Sequence, residues 1–508
     1  MGNAAPADMS NPINLMRGWP HPSLLPIAAL RTAAATVLSH ADTAHDGLLY
    51  GPDPGYGPAR EAIADWLTTF YRPHHAVTPA RLCITGGASQ NLGCLLNVYT
   101  DPSYTRHIWI VAPAYMLAFR IFEDAGFAGR MRAVPEDDEG VDVDFLRREM
   151  ERSEEEARRR KGFGWDRPLF KPERQRAKVY KHVVYCVPSF ANPSSKTMSL
   201  RRRRQLVRVA REFDALVVPD EVYDFLQWPA SSSSSASATV KTDAADEAPS
   251  LLMTAHLPRL VDVDRELEGG PERPGADGFG NACSNASFSK IAGPGLSVGW
   301  CEGTEKFAYG VSQTGTTASG GAPSQLSSTY LAHLLRTEAL QTHLHTHLLP
   351  AYARRHAILQ HAIKTYLLPL GFTLPEPVST VVGGYFIWLV LPPRLNATAL
   401  AQRCAAQVVI AAGPVFAVPG DDEAGKGMGF EGCVRLCFAW EEEENLREGV
   451  RRVGLVAKGM LEQQQEEEGG EEEKKKKKKK EEEEEEDDDD AGKGVANGWS
   501  GSKLEEFK

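Results

Sequence analysis

Two apolar runs constrain this chain more than any other feature: Val183-Val-Tyr-Cys-Val-Pro-Ser-Phe-Ala-Asn-Pro193 and Leu216-Val-Val-Pro-Asp-Glu-Val-Tyr223. Each reads as a buried strand that ends in polar residues. The helical stretch from Leu200 to Phe213 joins them. A strand, a helix and a second strand form a βαβ unit, and that unit sets the polar ends, with Asn192, Asp220 and Tyr223, on one edge of a sheet.

A third element adds an amine. In Ala286-Ser-Phe-Ser-Lys-Ile-Ala-Gly-Pro-Gly-Leu-Ser-Val-Gly-Trp300, Lys290 stands between hydroxyls and glycines. An amine, an acid and a phenol then recur in one predicted site. A fourth element, Thr85-Gly-Gly-Ala-Ser-Gln90 ahead of the apolar helix Leu92 to Val98, has the small side chains and helix-start amides that hold a phosphate, at Gly87, Ala88 and Ser89.

At 508 residues and 42% hydrophobic content the chain is long enough for two core-bearing domains. The formal charge of −11 belongs almost wholly to residues 462 to 508, which carry a net −9 and leave −2 for the rest. Seven lysines from Lys474 to Lys480 followed by acids to Asp490 are too polar to bury, so this tail is expected to be disordered. The adjoining acids neutralise the lysines and the body is not basic, which argues against nucleic acid as a partner. Ser502-Lys-Leu504 resembles a peroxisomal address but is not terminal. No stretch approaches the roughly 20 apolar residues of a membrane span, and the expected compartment is the cytoplasm. The eight cysteines show no metal spacing and are expected to be reduced, with no structural metal. Residues 151 to 176 are dense in charge, and residues 229 to 281 are rich in Ser, Pro and Gly; both read as surface insertions.

The quoted motifs resemble the class I/II aminotransferases, the fold type I group of pyridoxal phosphate enzymes. The resemblance extends in order through Tyr50-Gly-Pro-Asp-Pro-Gly-Tyr-Gly-Pro-Ala-Arg60, Pro113-Ala-Tyr115, Gly383-Gly-Tyr385 and Val434-Arg-Leu436, and covers roughly residues 11 to 460. Leu15-Met-Arg-Gly-Trp-Pro-His-Pro-Ser-Leu-Leu-Pro26 is similar to the arm of the aminoadipate, kynurenine and aromatic aminotransferases. The implied fold is α/β: a large domain with a mostly parallel central sheet between helices, and a smaller α+β domain. The implied boundaries are an arm and the start of the small domain at 1–45, the large cofactor domain at 46–310, the rest of the small domain at 320–460 and the tail at 462–508.

The implied activity is transfer of an amino group between an amino acid and a 2-oxo acid, through a Schiff base on Lys290. A lyase, decarboxylase or aminocyclopropane-carboxylate-synthase-like enzyme on the same scaffold is the alternative, and a catalytically weakened binding protein is another. Such chemistry needs an amine that condenses with the cofactor aldehyde and later carries a proton. It also needs a sheltered carboxylate that keeps the pyridine nitrogen protonated. By resemblance these are Lys290 and Asp220, with Glu221 structural. Tyr223 and Asn192 are expected to bond the phenolic oxygen, Tyr115 to stack on the ring, and Ser287 and Ser289 to join Gly87, Ala88 and Ser89 at the phosphate. Tyr50 is expected to reach that phosphate from the partner of a homodimer. Arg435 would grip the substrate α-carboxylate, and Gly18 and Trp19 would line its pocket together with Asn192. The chain departs from the family pattern at Ser297, where an arginine usually pairs with the phosphate; Arg17 is the candidate replacement.

Overall fold

The computed structural model describes residues 12–160, 166–172, 177–230, 253–375, 379–420 and 428–491. It divides into one unit within residues 1–454 and a second within residues 455–508. The first holds the whole of the site described below.

The strands Ala215–Pro219, His182–Cys186, Ile108–Ala112 and Met131–Asp137 lie side by side in that order, all parallel. The helix Leu200–Glu212 is the crossover between the first two, so the expected βαβ unit forms. The first three of these strands read as mainly apolar runs because both faces of the sheet are covered. Ile108, Ile110, Val183, Tyr185, Leu216 and Val218 enter one apolar layer. Trp109, Val184 and Val217 point into the other, with Leu206 of the crossover helix. On the far side Val217 makes a parallel bridge to Ala282. Beyond it lie Ser284–Ser287, Gly299–Glu302 and Leu82–Thr85, the middle one antiparallel to both neighbours. The mostly parallel sheet of an α/β fold is thus present.

A second, antiparallel sheet pairs Phe386–Val390 with Cys433–Cys437 and the latter with Ala411–Ala412. The short strand Ile13–Asn14 lies parallel to Val408–Val409 and anchors the N-terminal arm there.

Three expectations change. Within residues 229 to 281 the segment 231–252 lies outside the described residues, but the stretch after it is core rather than surface: Leu260 and Val263 join an apolar layer. Arg259, 1% exposed, donates to both oxygens of Asp262 and, from Nη1, to Glu302 Oε2 at 2.7 Å. The segment's Ser, Pro and Gly content suggested a surface loop, whereas these charges satisfy each other inside. Residues 151 to 159 likewise complete the helix Val143–Arg159, which buries Leu146, Met150, Ser153 and Ala157 on one face. Residues 161–165 and 173–176 of that expected insertion lie outside the described residues. Finally, the helix that begins at Glu443 runs to Ala491, into the tail expected to be disordered. Glu and Lys are strong helix formers, and a polarity that precludes a core does not preclude a helix. Residues 492–508 lie outside the described residues.

Candidate active site

The strand Leu82–Thr85 turns at Gly87, where φ is 101°, into the helix Ala88–Tyr99. That left-handed angle suits glycine and strains any residue with a Cβ. The first intrahelical bond of this turn runs from Asn91 N–H to Gly87 O at 3.0 Å, so the amides of Ala88, Ser89 and Gln90 have no partner within the helix. Opposite them, Ser287 Oγ lies 3.5 Å from where a Cβ on Gly87 would stand. It accepts from Ser289 N–H at 3.1 Å and lies 2.7 Å from Ser289 Oγ. Amides and hydroxyls therefore face one another in a cradle suited to a phosphate. Ser297 takes no part: it ends the turn Pro294–Leu296 in a left-handed conformation, and its carbonyl accepts from Ser324 Oγ at 2.6 Å.

Lys290 follows this cradle. Its amine donates to Gly18 O at 2.7 Å, and its own carbonyl accepts from Tyr385 O–H at 3.0 Å. Burial lowers the amine to about 8 despite Asp220 nearby, so its neutral form is far more populated near physiological pH than that of an ordinary lysine. Asp220, just past the end of the strand Ala215–Pro219, is pushed up to about 6 by burial. Tyr185 O–H donates to its Oδ2 at 3.0 Å, while Oδ1 is buried without a partner. A buried oxygen left unpaired is a costly arrangement unless a ligand completes it. The protonated ring nitrogen of pyridoxal phosphate is such a ligand, so the residues present fit that cofactor at its ring, its phosphate and its aldehyde.

At the other end, Arg435 sits mid-strand opposite Trp388. It donates from Nη1 to Asn192 Oδ1 at 2.6 Å and from Nη2 to Met16 O at 2.5 Å, while its Nε is buried without a partner. Its guanidinium lies 4.0 Å from the centre of the Phe386 ring.

A single cavity of about 770 Å³ brings together Gly18, Trp19, Ala88, Ser89, Tyr115, Asn192, Asp220, Tyr223, Ser287, Ser289, Lys290 and Arg435. Gly87 is not part of this wall, although a Cβ on it would stand 3.5 Å from Ser287 Oγ. Tyr50 is absent from this wall and 91% exposed. Glu221 is 1% exposed and takes a short bond from Ser284 Oγ, away from the cavity. Among the described residues no cluster of three or more His, Cys, Asp or Glu could hold a metal, and no helix is long and apolar enough to cross a membrane. All eight cysteines are free.

Sequence reasoning missed Tyr185, Tyr385 and Phe386. A signal existed for Tyr185. It pairs with Val218 in the parallel ladder, so Asp220 falls one pleat further along the same face. A tyrosine inside an otherwise aliphatic strand must find a partner for its hydroxyl. The other two depend on the second sheet meeting the first, which no local pattern encodes.

The family model for aminotransferase class I and II matches residues 20–453. An uncharacterized protein of Saccharomyces cerevisiae is 34% identical over 464 residues, covering 88% of this chain and 97% of that one. The 2-aminoadipate transaminase of Thermus thermophilus is 27% identical, covering 87% of this chain and 89% of its own length. The crystal structure of LysN, an alpha-aminoadipate aminotransferase of that organism complexed with N-(5'-phosphopyridoxyl)-L-leucine, is 26% identical with a TM-score of 0.64, covering 89% of this chain and 94% of that chain. With a helix-start cradle, a buried amine and a carboxylate that has one unpaired oxygen at the same cavity, the chain belongs to the class I and II aminotransferases, pyridoxal phosphate-dependent transaminases of fold type I.

Proposed function

We propose that Lys290 is the attachment point and the proton carrier of this transaminase, that Asp220 faces the ring nitrogen, and that Arg435 holds the substrate α-carboxylate. Bound pyridoxal phosphate supplies an electron sink that stabilises negative charge at the substrate Cα. The chain's own groups do the rest. The Lys290 amine, brought by burial closer to neutral pH than an ordinary lysine, takes a proton from Cα and returns one on the other side of the exchange. Arg435 offers its planar fork beside Asn192, which orients the substrate so that the Cα hydrogen faces Lys290. Tyr115 and Tyr223 line the space between, with Tyr115 against the ring face and Tyr223 toward its phenolic oxygen. The cradle from Gly87 to Ser89 with Ser287 and Ser289 holds the phosphate through amides and hydroxyls, without the arginine that Ser297 replaces.

The observation that carries this assignment is the unpaired Asp220 oxygen in the cavity that also holds Lys290. A homodimer in the cytoplasm fits the exposed run of Leu48, Leu49 and Tyr50, at 66%, 68% and 91%, which a second copy would cover. From that copy Tyr50 would reach the phosphate. The substrates are an amino acid and a 2-oxo acid, in keeping with relatives named for 2-aminoadipate and for aromatic amino acids.

The test compares wild type and Lys290→Ala, each loaded with pyridoxal phosphate and dialysed. Wild type is expected to keep a long-wavelength absorption band that amino donors bleach, and the variant to lack both the band and the response. A variant that still exchanges amino groups with a 2-oxo acid would remove Lys290 from its role.

A further inference from the structure

The phosphate cradle is assembled from two elements that do not pair with each other. Its amides open the helix Ala88–Tyr99, just past the strand Leu82–Thr85, and its hydroxyls stand at and beyond the end of the strand Ser284–Ser287. Gly299–Glu302 lies between these two strands and pairs with both. The gap is two ladder spacings, roughly 10 Å. With Ser297 in place of an arginine the donors on both sides are neutral, while the guanidinium of Arg17 stands 4.8 and 4.7 Å from the ring centres of Trp19 and Trp440. Neutral donors hold a phosphate only when several converge on it at fixed distances.

Two buried amides bridge that gap. Asn91, in the first turn of the helix, and Asn285, in the strand, are 0% and 1% exposed. Asn91 Nδ2 donates to Asn285 Oδ1 at 2.9 Å, and Asn285 Nδ2 donates to Ala88 O, the first carbonyl of the helix, at 3.2 Å. The main chain of Asn285 is fixed as well, its carbonyl accepting at 3.0 Å from the N–H of Glu221, next to Asp220. Five residues further on stands Lys290. Asn285 thus ties the phosphate end of the site to the end of the Asp220 strand and to the segment that carries the amine. Its surroundings are apolar: it is registered with Cys301, which is registered with Cys83, and both enter the layer that holds Leu92 and Leu95. Primary amides are costly in such a layer, and Asn91 Oδ1 is buried without a partner. Leucines would pack there without that cost; what the amides supply is direction.

We infer that Asn91 and Asn285 are positioning residues for the cofactor phosphate: their hydrogen bonds hold the helix-start amides and the hydroxyls of Ser287 and Ser289 at the separation that one phosphate spans. This rests on the transaminase reading above. Neither asparagine lines the cavity, so both act through the cradle rather than on the ligand. Asn285 holds the helix start by Ala88 O, and Asn91 aims the Asn285 amide at that carbonyl by occupying its oxygen.

The test is the ratio of the apoprotein's affinities for pyridoxal phosphate and for pyridoxal, which differ only in the phosphate. Inorganic phosphate, titrated separately, probes the cradle alone, and thermal unfolding of the apoprotein controls for the fold. Asn91→Leu/Asn285→Leu replaces both amides by apolar groups of similar size and should leave the apoprotein folded. It is expected to bind pyridoxal as wild type does, but pyridoxal phosphate and inorganic phosphate roughly 3- to 10-fold more weakly. Asn285→Ala, which adds no bulk, should lower the ratio likewise, and Asn91→Ala, which leaves the bond to Ala88 O in place, should lower it less. An unchanged ratio in the double variant and in Asn285→Ala, or equal weakening of the phosphorylated and unphosphorylated ligands, would overturn the inference and leave the pair a purely structural role. A wild-type apoprotein that binds pyridoxal phosphate no more tightly than pyridoxal would refute the cradle itself, and that result is read from wild type alone.

Discussion

Replacing Asp220 by asparagine sets folding stability against function in a way the structure quantifies. Burial raises this carboxyl from its ordinary value of 3.8 to about 6, a little over two pH units. At 1.36 kcal/mol per unit the full shift is worth about 3 kcal/mol, and water in the cavity in front of Oδ1 reduces it to about 1–3 kcal/mol. Because the folded value is raised, the unfolded chain loses its proton first. Between about pH 4 and pH 6 the unfolded state alone is ionised, so wild-type apoprotein loses stability as pH rises through that window and keeps the whole penalty above it. Asparagine carries no charge at any pH and still accepts from Tyr185. The loss of the Asp220 charge lowers the Lys290 amine further, which offsets part of the gain near neutrality. Apo Asp220→Asn should therefore unfold at a higher temperature than wild type at pH 7, with an advantage that shrinks to nothing near pH 4. With cofactor present the order should reverse, since the ring nitrogen loses its counter-charge. The assay is thermal unfolding across pH 4 to 8, with and without pyridoxal phosphate. An apo variant less stable than wild type at pH 7, or a difference that ignores pH, would refute the reasoning.

Arg435→Lys keeps the charge but loses the fork that reaches Asn192 and Met16 O together. It is expected to raise KM for every carboxylate substrate by on the order of 10–100-fold, in steady-state kinetics with both apolar and acidic donors. An unchanged KM would remove Arg435 from α-carboxylate binding. Gly299→Ala tests the backbone behind the phosphate cradle. A Cβ there would stand 2.4 Å from Ala286 O and 2.9 Å from Gly87 Cα, so strand or cradle must shift. Unfolding experiments should show a loss of about 1–3 kcal/mol, with faster cofactor release on dialysis; a variant as stable and as retentive as wild type would mean that the contact yields freely.

Much of the site was legible because its parts sit where local chemistry changes character. Asp220 and Asn192 end apolar strands, Gly87 opens a helix, and Lys290 follows a serine pair; each is marked by its immediate neighbours. Arg435 was legible only through resemblance, since an arginine within an apolar strand carries no sign of what it faces. The buried part of residues 229 to 281 was misread because the segment's Ser, Pro and Gly content suggested a surface loop, and only the fold could show Arg259 meeting Glu302 across 43 residues of chain.

The sequence by itself determined the strands, the crossover helix, the glycine turn of the cradle and the positions of Lys290 and Asp220 beside them, because backbone periodicity, glycine angles and side-chain chemistry act over a few residues. Tertiary structure alone decided the environment of each group. It set Tyr185 on one oxygen of Asp220 and left the other open, lowered Lys290 by burial, and placed Arg17 between two indoles 421 residues apart in the chain. Desolvation, hydrogen-bond partners and ring contacts are properties of space, and residues distant in the chain supply them.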